Sequence, residues 1–343
     1  MVAELMGFLN RGHEVWLLAH PKAQILPRAR DIGVNVLPCD FERLHLPVNS
    51  VRLAWWLRRQ RIDVVNTHSS RDGWLLGIAA RLARTPLLIR SRHIDVNYHV
   101  PSVSKHAFTT FADHVLTTSD KITAHLQSLF PIASNDITTL PTGIDVSVFH
   151  PNGPKAQLPV RAGTPVVGMV SVLRSWKGHR TFFDAIRLLR DEGRQIQFVV
   201  VGGGGNTANF ERMANQHGVG AAVAFTGHRE DVPDVLRALD VLCIPSLRHE
   251  GVPQIGLQAL ACGTAVVGSD CGGIPEIIRD GETGRIFPIS DAAALARRIV
   301  ETIEQKADTD RMRTAGRAMV EQHHSFEAML DRLETIYRRF LPA

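Results

Sequence analysis

The stretch from Ser246 to Ile278 constrains the fold more tightly than any other part of the chain. It follows a short apolar run that ends at Pro245, and it contains two apolar segments that each follow a loop. The first segment suits a helix buried on most sides, Gly263 ends it, and Ala265–Val267 suits a buried strand. A second loop at 272–276 then opens a second helix. The order strand, loop, helix, strand, loop, helix predicts a parallel sheet covered by helices.

Both loops of this unit are expected at the carboxyl ends of the strands, the edge where doubly wound sheets bind ligands. Glu250 precedes the first helix and Gln258 lies about five residues inside it, so at roughly 1.5 Å rise per residue their side chains would lie about 7–8 Å apart. Between them the N–H groups of Gln254 and Ile255 form an anion site. Pro253 suits the first helical position but adds no N–H. A nucleotide-sugar, with hydroxyl groups at both ends and phosphates between them, matches this spacing.

This stretch resembles the donor-binding segment of the retaining GT-B glycosyltransferases of the GT4 type, also called glycosyl transferases group 1. Their pattern is two glutamates eight residues apart around a Gly-x-Pro, then a small-residue run and a Gly-Gly-x-Pro-Glu loop. Glu250 matches the first glutamate, which the resemblance implies contacts hydroxyls of the donor sugar. Gln258 replaces the second, which implies weaker binding of the ribose because an amide lacks charge-assisted strength. The residues of this loop expected to bind the donor are Gly251, Val252, Pro253, Gln254, Ile255 and Gln258.

The length of 343 residues predicts two domains, and 44% apolar residues suffice for two cores. The resemblance implies the α/β GT-B fold, in which two Rossmann-like doubly wound domains face a cleft. We expect an N-terminal acceptor-side domain at 1–150 and a donor domain at 151–325. The apolar spacing of 326–343 predicts a final helix that packs. In the resembled family this helix crosses back to the first domain.

Cysteine and charge exclude several classes of protein. The four cysteines form no C-x-x-C pair, so reduced thiols are favoured over disulfides or a metal site. The net charge of +5 is too small for a nucleic-acid partner. No apolar run of about 18 residues and no signal peptide occur, so we expect a cytoplasmic protein, with peripheral attachment to the inner face of the cell membrane left open.

The excess positive charge lies in the first part of the chain. Residues 1–150 hold 16 Lys and Arg against 12 Asp and Glu, a net of +4, which leaves +1 for the rest. The segment Val51 to Arg61, VRLAWWLRRQR, combines tryptophan with arginine. It is interpreted either as an amphipathic surface helix of the first domain or as a helix at an anionic membrane surface.

The first residues of the chain are expected to form the end of a helix rather than the strand that opens a doubly wound domain. Ala3–Leu9 suits the tail of a helix, and Glu14–Ala19 suits the strand that follows it. A doubly wound domain needs a strand and a phosphate-side loop before that helix. The resemblance implies a Gly-rich loop there, and about 20–25 residues are expected to be lacking on ordinary element lengths.

Two histidines follow predicted strands of the first domain. His68 follows the strand at 63–67, and His93 comes shortly after the strand at 87–90. Each is either a polar loop residue or a site residue, because strand carboxyl ends gather site residues. The resemblance favours His93 as a residue of the sugar and acceptor pocket and leaves His68 a weaker acceptor-side candidate. Beyond them we expect a helix near 105–112 and another that is capped at Ser119 or Asp120.

In the second domain the turn LRSWKGH after the strand at 166–172 carries Lys177. The resemblance implies that Lys177 grips the donor diphosphate, although a solvated turn lysine is the alternative. The family arginine at this strand end is absent, and Arg174 is the nearest replacement. The glycines at 202–205 lack a dinucleotide-binding register, so a tight turn or a close backbone approach is favoured. The family holds the base largely through backbone groups of the segment that here reads Gly227, His228 and Arg229.

The implied reaction moves a sugar from a nucleotide-diphosphate sugar to a hydroxyl of a saccharide or lipid-linked acceptor, with retention at the anomeric carbon. Glu250, Lys177 and His93 are the expected catalytic residues. The start of the helix after Glu250 and Lys177 would stabilise the leaving diphosphate, and no Asp-x-Asp motif occurs, so neither a metal nor another cofactor is expected. Bacterial cell-surface polysaccharide or lipopolysaccharide synthesis is the expected setting. The alternatives are a non-catalytic nucleotide-binding protein, a GT-B-like epimerase or phosphorylase, and a Glu250 that only complements the helix dipole.

Overall fold

The computed structural model describes residues 2–41, 46–93, 101–204 and 207–341. The chain divides into a first unit, Met1–Pro141 with Phe326–Ala343, and a second unit, Thr142–Ser325. The chain passes from the first unit to the second upstream of residue 150. Ile144 already belongs to the core of the second unit and forms a β-bridge with Ser325.

The strands of the first unit form two parallel sheets. One sheet has the order β1-β2 and the other the order β3-β4-β5-β6. Both sheets contribute to one apolar core, in which Leu18 and Leu37 of the small sheet join Val65 and Leu88 of the larger one. The six strands are β1 (Trp16–Ala19), β2 (Asn35–Pro38), β3 (Val64–Thr67), β4 (Leu87–Arg92), β5 (His114–Thr117) and β6 (Ile137–Thr139).

The second unit is built on one parallel sheet of six strands with the order β12-β11-β10-β7-β8-β9. Alternate residues of each strand enter two separate cores, as with Val199 on one face and Val200 on the other. Because both faces are covered by helices, most residues of these strands are apolar. The strands are β7 (Val166–Val170), β8 (Gln197–Val201), β9 (Val223–Gly227), β10 (Val241–Ile244), β11 (Ala265–Ser269) and β12 (Arg285–Phe287).

Helices connect these strands, and their starts follow local capping chemistry. Ser69 and Asp72 form a capping box at one helix, and Ser119 accepts a hydrogen bond from the N–H of Ile122 at another, which makes Ser119 the cap of that helix. The described helices are α1 (Val2–Asn10), α2 (Ile25–Asp31), α3 (Leu46–Arg59), α4 (Ser70–Ala83), α5 (Pro101–Ser104), α6 (Asp120–Leu129), α7 (His179–Asp191), α8 (Thr207–Gln216), α9 (Val232–Ala238), α10 (Gln254–Ala261), α11 (Ile274–Ile277), α12 (Ala292–Glu304), α13 (Lys306–His323) and α14 (Phe326–Arg338).

The helix expected near residues 105–112 is wrong in extent. The structure has the single-turn helix α5 followed by a 3₁₀ turn at Lys105–Ala107. The hydroxyl of Thr109 donates to the carbonyl of Lys105, and the N–H of Phe108 bonds to that same carbonyl. The N–H of Thr109 also bonds to this carbonyl, whereas the N–H of Phe111 bonds to the carbonyl of His106, five residues back. Tight and wide turns therefore occur here in place of a regular helix.

The helix α14 packs in the first unit, as predicted for a final helix that returns to the first domain. Leu330 and Leu333 are buried in a core with Phe8, Leu87 and Ile89. At the surface, the guanidinium of Arg11 contacts carboxylates of three α14 residues. They are Glu327 at 2.5 Å, Asp331 at 2.8 Å and Glu334 at 3.3 Å.

We predict that Leu330→Ala lowers the free energy of unfolding of the first unit by about 2–5 kcal/mol, because it leaves a cavity in a fully buried position. Chemical denaturation measures the change. Arg338→Ala, on an exposed position of the same helix, serves as the control and should change stability by less than about 0.5 kcal/mol. Equal effects of the two substitutions would contradict the packing role of α14.

Candidate functional site

The strand order of the second unit reverses between β7 and β10. Successive strands run outward from β7 in one direction and from β10 in the other. Ligands bind outside the carboxyl ends of the strands at such a switch point. The loop after β7 carries Lys177, and the loop after β10 carries Glu250. Two predicted site residues therefore come from the two strands that flank this point.

Lys177 and Glu250 contact each other directly. The ammonium of Lys177 donates to Oε1 of Glu250 at 2.5 Å. Glu250 is 7% exposed, whereas the side chain of Lys177 is 23% exposed. The carboxylate is thus held by a cation that retains partial contact with solvent.

Glu250 accepts a second hydrogen bond from a residue of its own loop, the one that follows β10. The hydroxyl of Ser246 donates to the same Oε1 atom at 2.6 Å. The carbonyl of Ser246 accepts a hydrogen bond from the hydroxyl of Ser269, at the end of β11, also at 2.6 Å. Both serines are fully buried. This relay fixes one carboxylate oxygen of Glu250.

Close backbone packing holds these loops together. Gly178, at φ 79°, lies so near β10 that a Cβ atom would be 1.7 Å from the carbonyl oxygen of Pro245. Gly272, at φ 59°, would place a Cβ atom 2.1 Å from the carbonyl oxygen of Glu250. Only glycine fits both positions, because a side chain would meet backbone atoms. The Lys177 turn and the Gly-Gly loop therefore pack against the Glu250 loop from two sides.

The helix α10 begins immediately after this loop. Pro253 is its N-cap, so the helix starts one residue later than the sequence pattern suggested, at Gln254. The carbonyl of Pro253 accepts the first helical hydrogen bonds, from Gly256 and Leu257. The N–H groups of the first turn have no intrahelical acceptor in any α-helix. Their positive dipole lies next to the Glu250 loop, in a position suited to an anion.

Arg174 is the second cation of the loop after β7. It is exposed, and its guanidinium lies over the ring of Trp176 at 5.0 Å from the centroid. The carbonyl of Trp176 accepts from the N–H of Leu247, and its ring contacts His249 edge-on. Arg174 therefore packs on a tryptophan that is hydrogen-bonded to the loop after β10.

The remaining predicted donor residues are placed around these loops. Gly202 allows β8 to approach β7 closely, since a Cβ atom there would be 1.8 Å from the carbonyl oxygen of Ser171. The backbone of Gly227 accepts from the N–H of Gly202 at 2.8 Å, and His228 follows it at the surface. Arg229 is engaged in a two-point ion pair with Asp231.

The rest of the predicted Glu250 loop is arranged by its packing. Val252 and Ile255 turn their side chains toward the core, Gly251 is buried, and Gln258 is half-buried in the second turn of α10. The side chains of Val252 and Ile255 thus anchor the loop to the core of the second unit. Gly205, part of the predicted glycine run, lies outside the described residues.

The two predicted histidines of the first unit meet. Nδ1 of His68 lies 2.9 Å from Nε2 of His93, and the rings stack with 12° between their planes. At this distance one ring donates and the other accepts, so the pair holds a hydrogen bond when both rings are neutral. The carbonyl of His93 accepts from the hydroxyl of Thr118, which fixes the turn after β4.

A buried arginine lies beneath the turn that carries His68. Arg90, on β4, is 2% exposed and donates to the hydroxyl of Thr67 and to the carbonyl of Ser69. It also lies 3.4 Å from a carboxylate oxygen of Asp72, which accepts from the N–H groups of His68 and Ser69. Arg90 and Asp72 therefore fix the backbone that positions His68.

Both histidines favour the neutral form. Desolvation, with the neighbouring His93 adding to it, lowers the pKa of His68 to about 4. Desolvation likewise lowers the pKa of His93 below its ordinary value, and the cationic Arg92 contributes in the same direction. A neutral imidazole can accept a proton or a hydrogen bond near neutral pH.

We predict that the stability of the first unit falls as pH decreases from about 6.5 toward 4. The unfolded His68 binds a proton near its ordinary pKa of 6.5, whereas the folded one does so only near 4, so the neutral form stabilises the fold above this window. Urea unfolding across this range should give a flatter pH profile for His68→Gln. The exposed His20→Gln is the control, and an unchanged profile in His68→Gln would contradict the assignment.

The chain has two α/β units, and in the second the loops after β7 and β10 meet where the strand order reverses. Proteins of this class bind ligands at such a point. Residues 3–148 match the family described as Glycosyltransferase Family 4, and residues 154–319 match Glycosyl transferases group 1. These two matches cover nearly the whole chain. The chain belongs to the GT4-type GT-B glycosyltransferases.

Relatives and solved structures agree with this assignment. A phosphatidyl-myo-inositol mannosyltransferase of Mycobacterium tuberculosis is 26% identical, with 94% of this chain and 87% of that protein covered. A glycosyltransferase of Rickettsia africae superposes with a TM-score of 0.89 at 18% identity, over 99% of this chain and 93% of that one. Anabaena Alr3699/HepE, in complex with UDP and glucose, has a TM-score of 0.82 at 18% identity, over 98% and 94%. The fold is therefore GT-B.

Among residues 2–41, 46–93, 101–204 and 207–341, no helix is both long and apolar enough to span a membrane. In those same ranges no three His, Cys, Asp or Glu side chains are grouped as metal ligands would be.

Three residues of these sites were missed in the sequence. Ser246 lies shortly after β10 and Ser269 ends β11, and no sequence pattern distinguished these two serines from other polar residues at strand ends. Arg90 carried a usable signal, because it is a charge inside the strand run LLIRSR, and charged residues are rarely fully buried without partners.

Proposed function

We propose that the protein is a retaining glycosyltransferase that moves a sugar from a nucleotide-diphosphate sugar to an acceptor hydroxyl. The observation that carries this proposal is the contact between Lys177 and Glu250 at the strand switch point. A cation, a carboxylate and the start of α10 are there arranged within one set of packed loops. These three groups match the diphosphate and the sugar hydroxyls of a donor.

The leaving diphosphate gains negative charge as the sugar departs. The first N–H groups of α10 stabilise this charge, and Lys177 adds its positive charge once it has turned from Glu250 to the bound diphosphate. Arg174 lies on the same loop as Lys177 and adds a second cation. Donor binding thus needs only groups of this chain, and no step of the proposal involves a metal ion.

Glu250 orients the sugar in this proposal. Its Oε1 atom accepts hydrogen bonds from both Lys177 and Ser246. When Lys177 turns to the diphosphate, Ser246 still holds that oxygen, and the carboxylate accepts hydroxyls of the sugar. The departing phosphate oxygen takes the proton of the acceptor hydroxyl. Gln258 contacts the ribose, with an amide in place of the family glutamate.

His93 and His68 form the acceptor side in this proposal. A neutral imidazole pair can hydrogen-bond sugar hydroxyls as donor or acceptor without attracting free anions. The acceptor is a saccharide or a lipid-linked saccharide, and the setting is bacterial cell-surface polysaccharide or lipopolysaccharide synthesis at the cytoplasmic face of the membrane. A relative that mannosylates phosphatidyl-myo-inositol supports an acceptor with a lipid anchor.

We predict that Glu250→Gln and Lys177→Ala each reduce turnover by roughly 10²–10³-fold, since each removes a group that acts on the reacting sugar or on its leaving group. The wild-type chain is incubated with UDP-, GDP- and ADP-sugars and simple acceptors, and released nucleotide is measured. UDP-glucose is the first donor, because a structural relative contains UDP and glucose. Glu282→Gln, at an exposed ion pair, is the matched control and should retain full activity.

The anomeric configuration of the product, followed by NMR, tests retention separately. An inverted product would contradict the retaining mechanism but leave glycosyl transfer intact. Nucleotide binding without turnover of any donor would overturn the transferase proposal and support a non-catalytic nucleotide-binding protein instead.

We predict that Ser246→Ala lowers kcat by about 10-fold and changes nucleotide affinity little, because it frees the Glu250 carboxylate without removing it. One lost hydrogen bond of this kind corresponds to roughly 1–2 kcal/mol. Isothermal titration with nucleotide and steady-state kinetics are compared. A large loss of nucleotide affinity with unchanged kcat would contradict this role.

A further inference from the structure

We propose that Trp176 is a positioning residue of the candidate site in the second unit, where it holds the guanidinium of Arg174 ready for the second phosphate of a nucleoside diphosphate. The contacts that carry this inference all lie in the loops after β7 and β10 of the second unit. The inference rests on the proposed function for the identity of the ligand. Trp176 exerts this role through Arg174 rather than on the sugar.

The guanidinium of Arg174 is supported in a way that keeps it available. Arg174 is exposed, and ordering a long exposed side chain on a ligand costs conformational entropy. Its guanidinium lies 5.0 Å from the centroid of the Trp176 ring. Stacking on an aromatic face restricts the guanidinium but leaves its N–H donors for phosphate. At Arg229, by contrast, Asp231 accepts from two of these donors.

Trp176 is itself held by the loop after β10. Its carbonyl accepts from the N–H of Leu247 at 2.8 Å, and its ring lies at 86° to the ring of His249, with 6.2 Å between the centroids. His249 has a φ of 62°, in the left-handed region that costs free energy for a residue with a Cβ atom. Such a conformation persists where its surroundings fix it. Trp176 therefore connects Arg174 to the turn that leads directly into Glu250.

The aromatic face of Trp176 can be tested apart from the fold of its turn. The hydrogen bond from Leu247 uses main-chain atoms, so a substitution at residue 176 leaves it in place. Gly178 also packs directly against the backbone of Pro245, which keeps the turn beside the loop after β10. Trp176→Leu removes the aromatic face but keeps an apolar side chain, whereas Trp176→Phe keeps a smaller face.

The test is isothermal titration of the full chain with UDP and UMP, and with GDP and GMP as a second pair. Trp176→Leu should weaken binding of the diphosphate about 5-fold, with little change for the monophosphate. Trp176→Phe should recover most of the lost affinity. Arg174→Ala should weaken diphosphate binding by about 10–100-fold, because a charge-assisted bond is lost. Adding Trp176→Leu to Arg174→Ala should cause no further loss, because the tryptophan then has no guanidinium to hold.

Two controls accompany this double-mutant cycle. Trp176→Leu combined with Arg229→Ala should give additive losses, because Asp231 rather than the tryptophan holds Arg229. Arg187→Ala, at an exposed position of α7, should bind as the wild type does.

The outcomes separate this inference from the proposed function. Equal losses for diphosphate and monophosphate, or additive losses for Trp176→Leu and Arg174→Ala, would overturn the positioning role while the transferase stands. A selective, non-additive loss of diphosphate affinity would support the role even if no nucleotide-sugar is turned over, a result that would overturn the transferase alone. Failure of the wild-type chain to bind any nucleoside diphosphate would overturn both.

Discussion

The candidate site of the second unit is built around a charged pair that is costly to bury. Removing a carboxylate from water is unfavourable unless a counterion and hydrogen bonds replace the lost solvation. Glu250 receives both, from Lys177 and from Ser246, and the partly exposed ammonium limits the cost. These bonds form only when the loops after β7, β10 and β11 are closely packed. Gly178 and Gly272 allow this close packing of the loops, and they therefore contribute to the geometry of the ion pair.

Parallel topology explains why so much of this site could be predicted from the sequence. Lys177 and Glu250 are 73 residues apart in the chain, but each follows a buried strand, and such strands end at one edge of a parallel sheet. The resemblance to GT4-type enzymes selected both residues. Their direct contact was not predicted, because a donor was expected between them. It follows from the electrostatics of a buried carboxylate that needs a counterion.

Long-range side-chain packing set the limit of prediction. The Ser269–Ser246–Glu250 relay depends on the register of β10 and β11, which sequence patterns do not specify at atomic detail. The helix expected near 105–112 failed for a local reason, since the N–H bonds of Phe108 and Phe111 span three and five residues instead of four. The structure adds that β1-β2 and β3-β4-β5-β6 are separate sheets sharing one core.

The ion pair also has consequences for the selectivity of the proposed transferase. A neutral sugar offers no anion to Lys177, so it meets a carboxylate that is already occupied. A diphosphate competes for the ammonium, and charge-assisted bonds to phosphate oxygens replace the bond to Glu250. Part of the binding free energy is then used to release the carboxylate for the sugar. The residues that recognise the diphosphate would thereby decide when Glu250 becomes available.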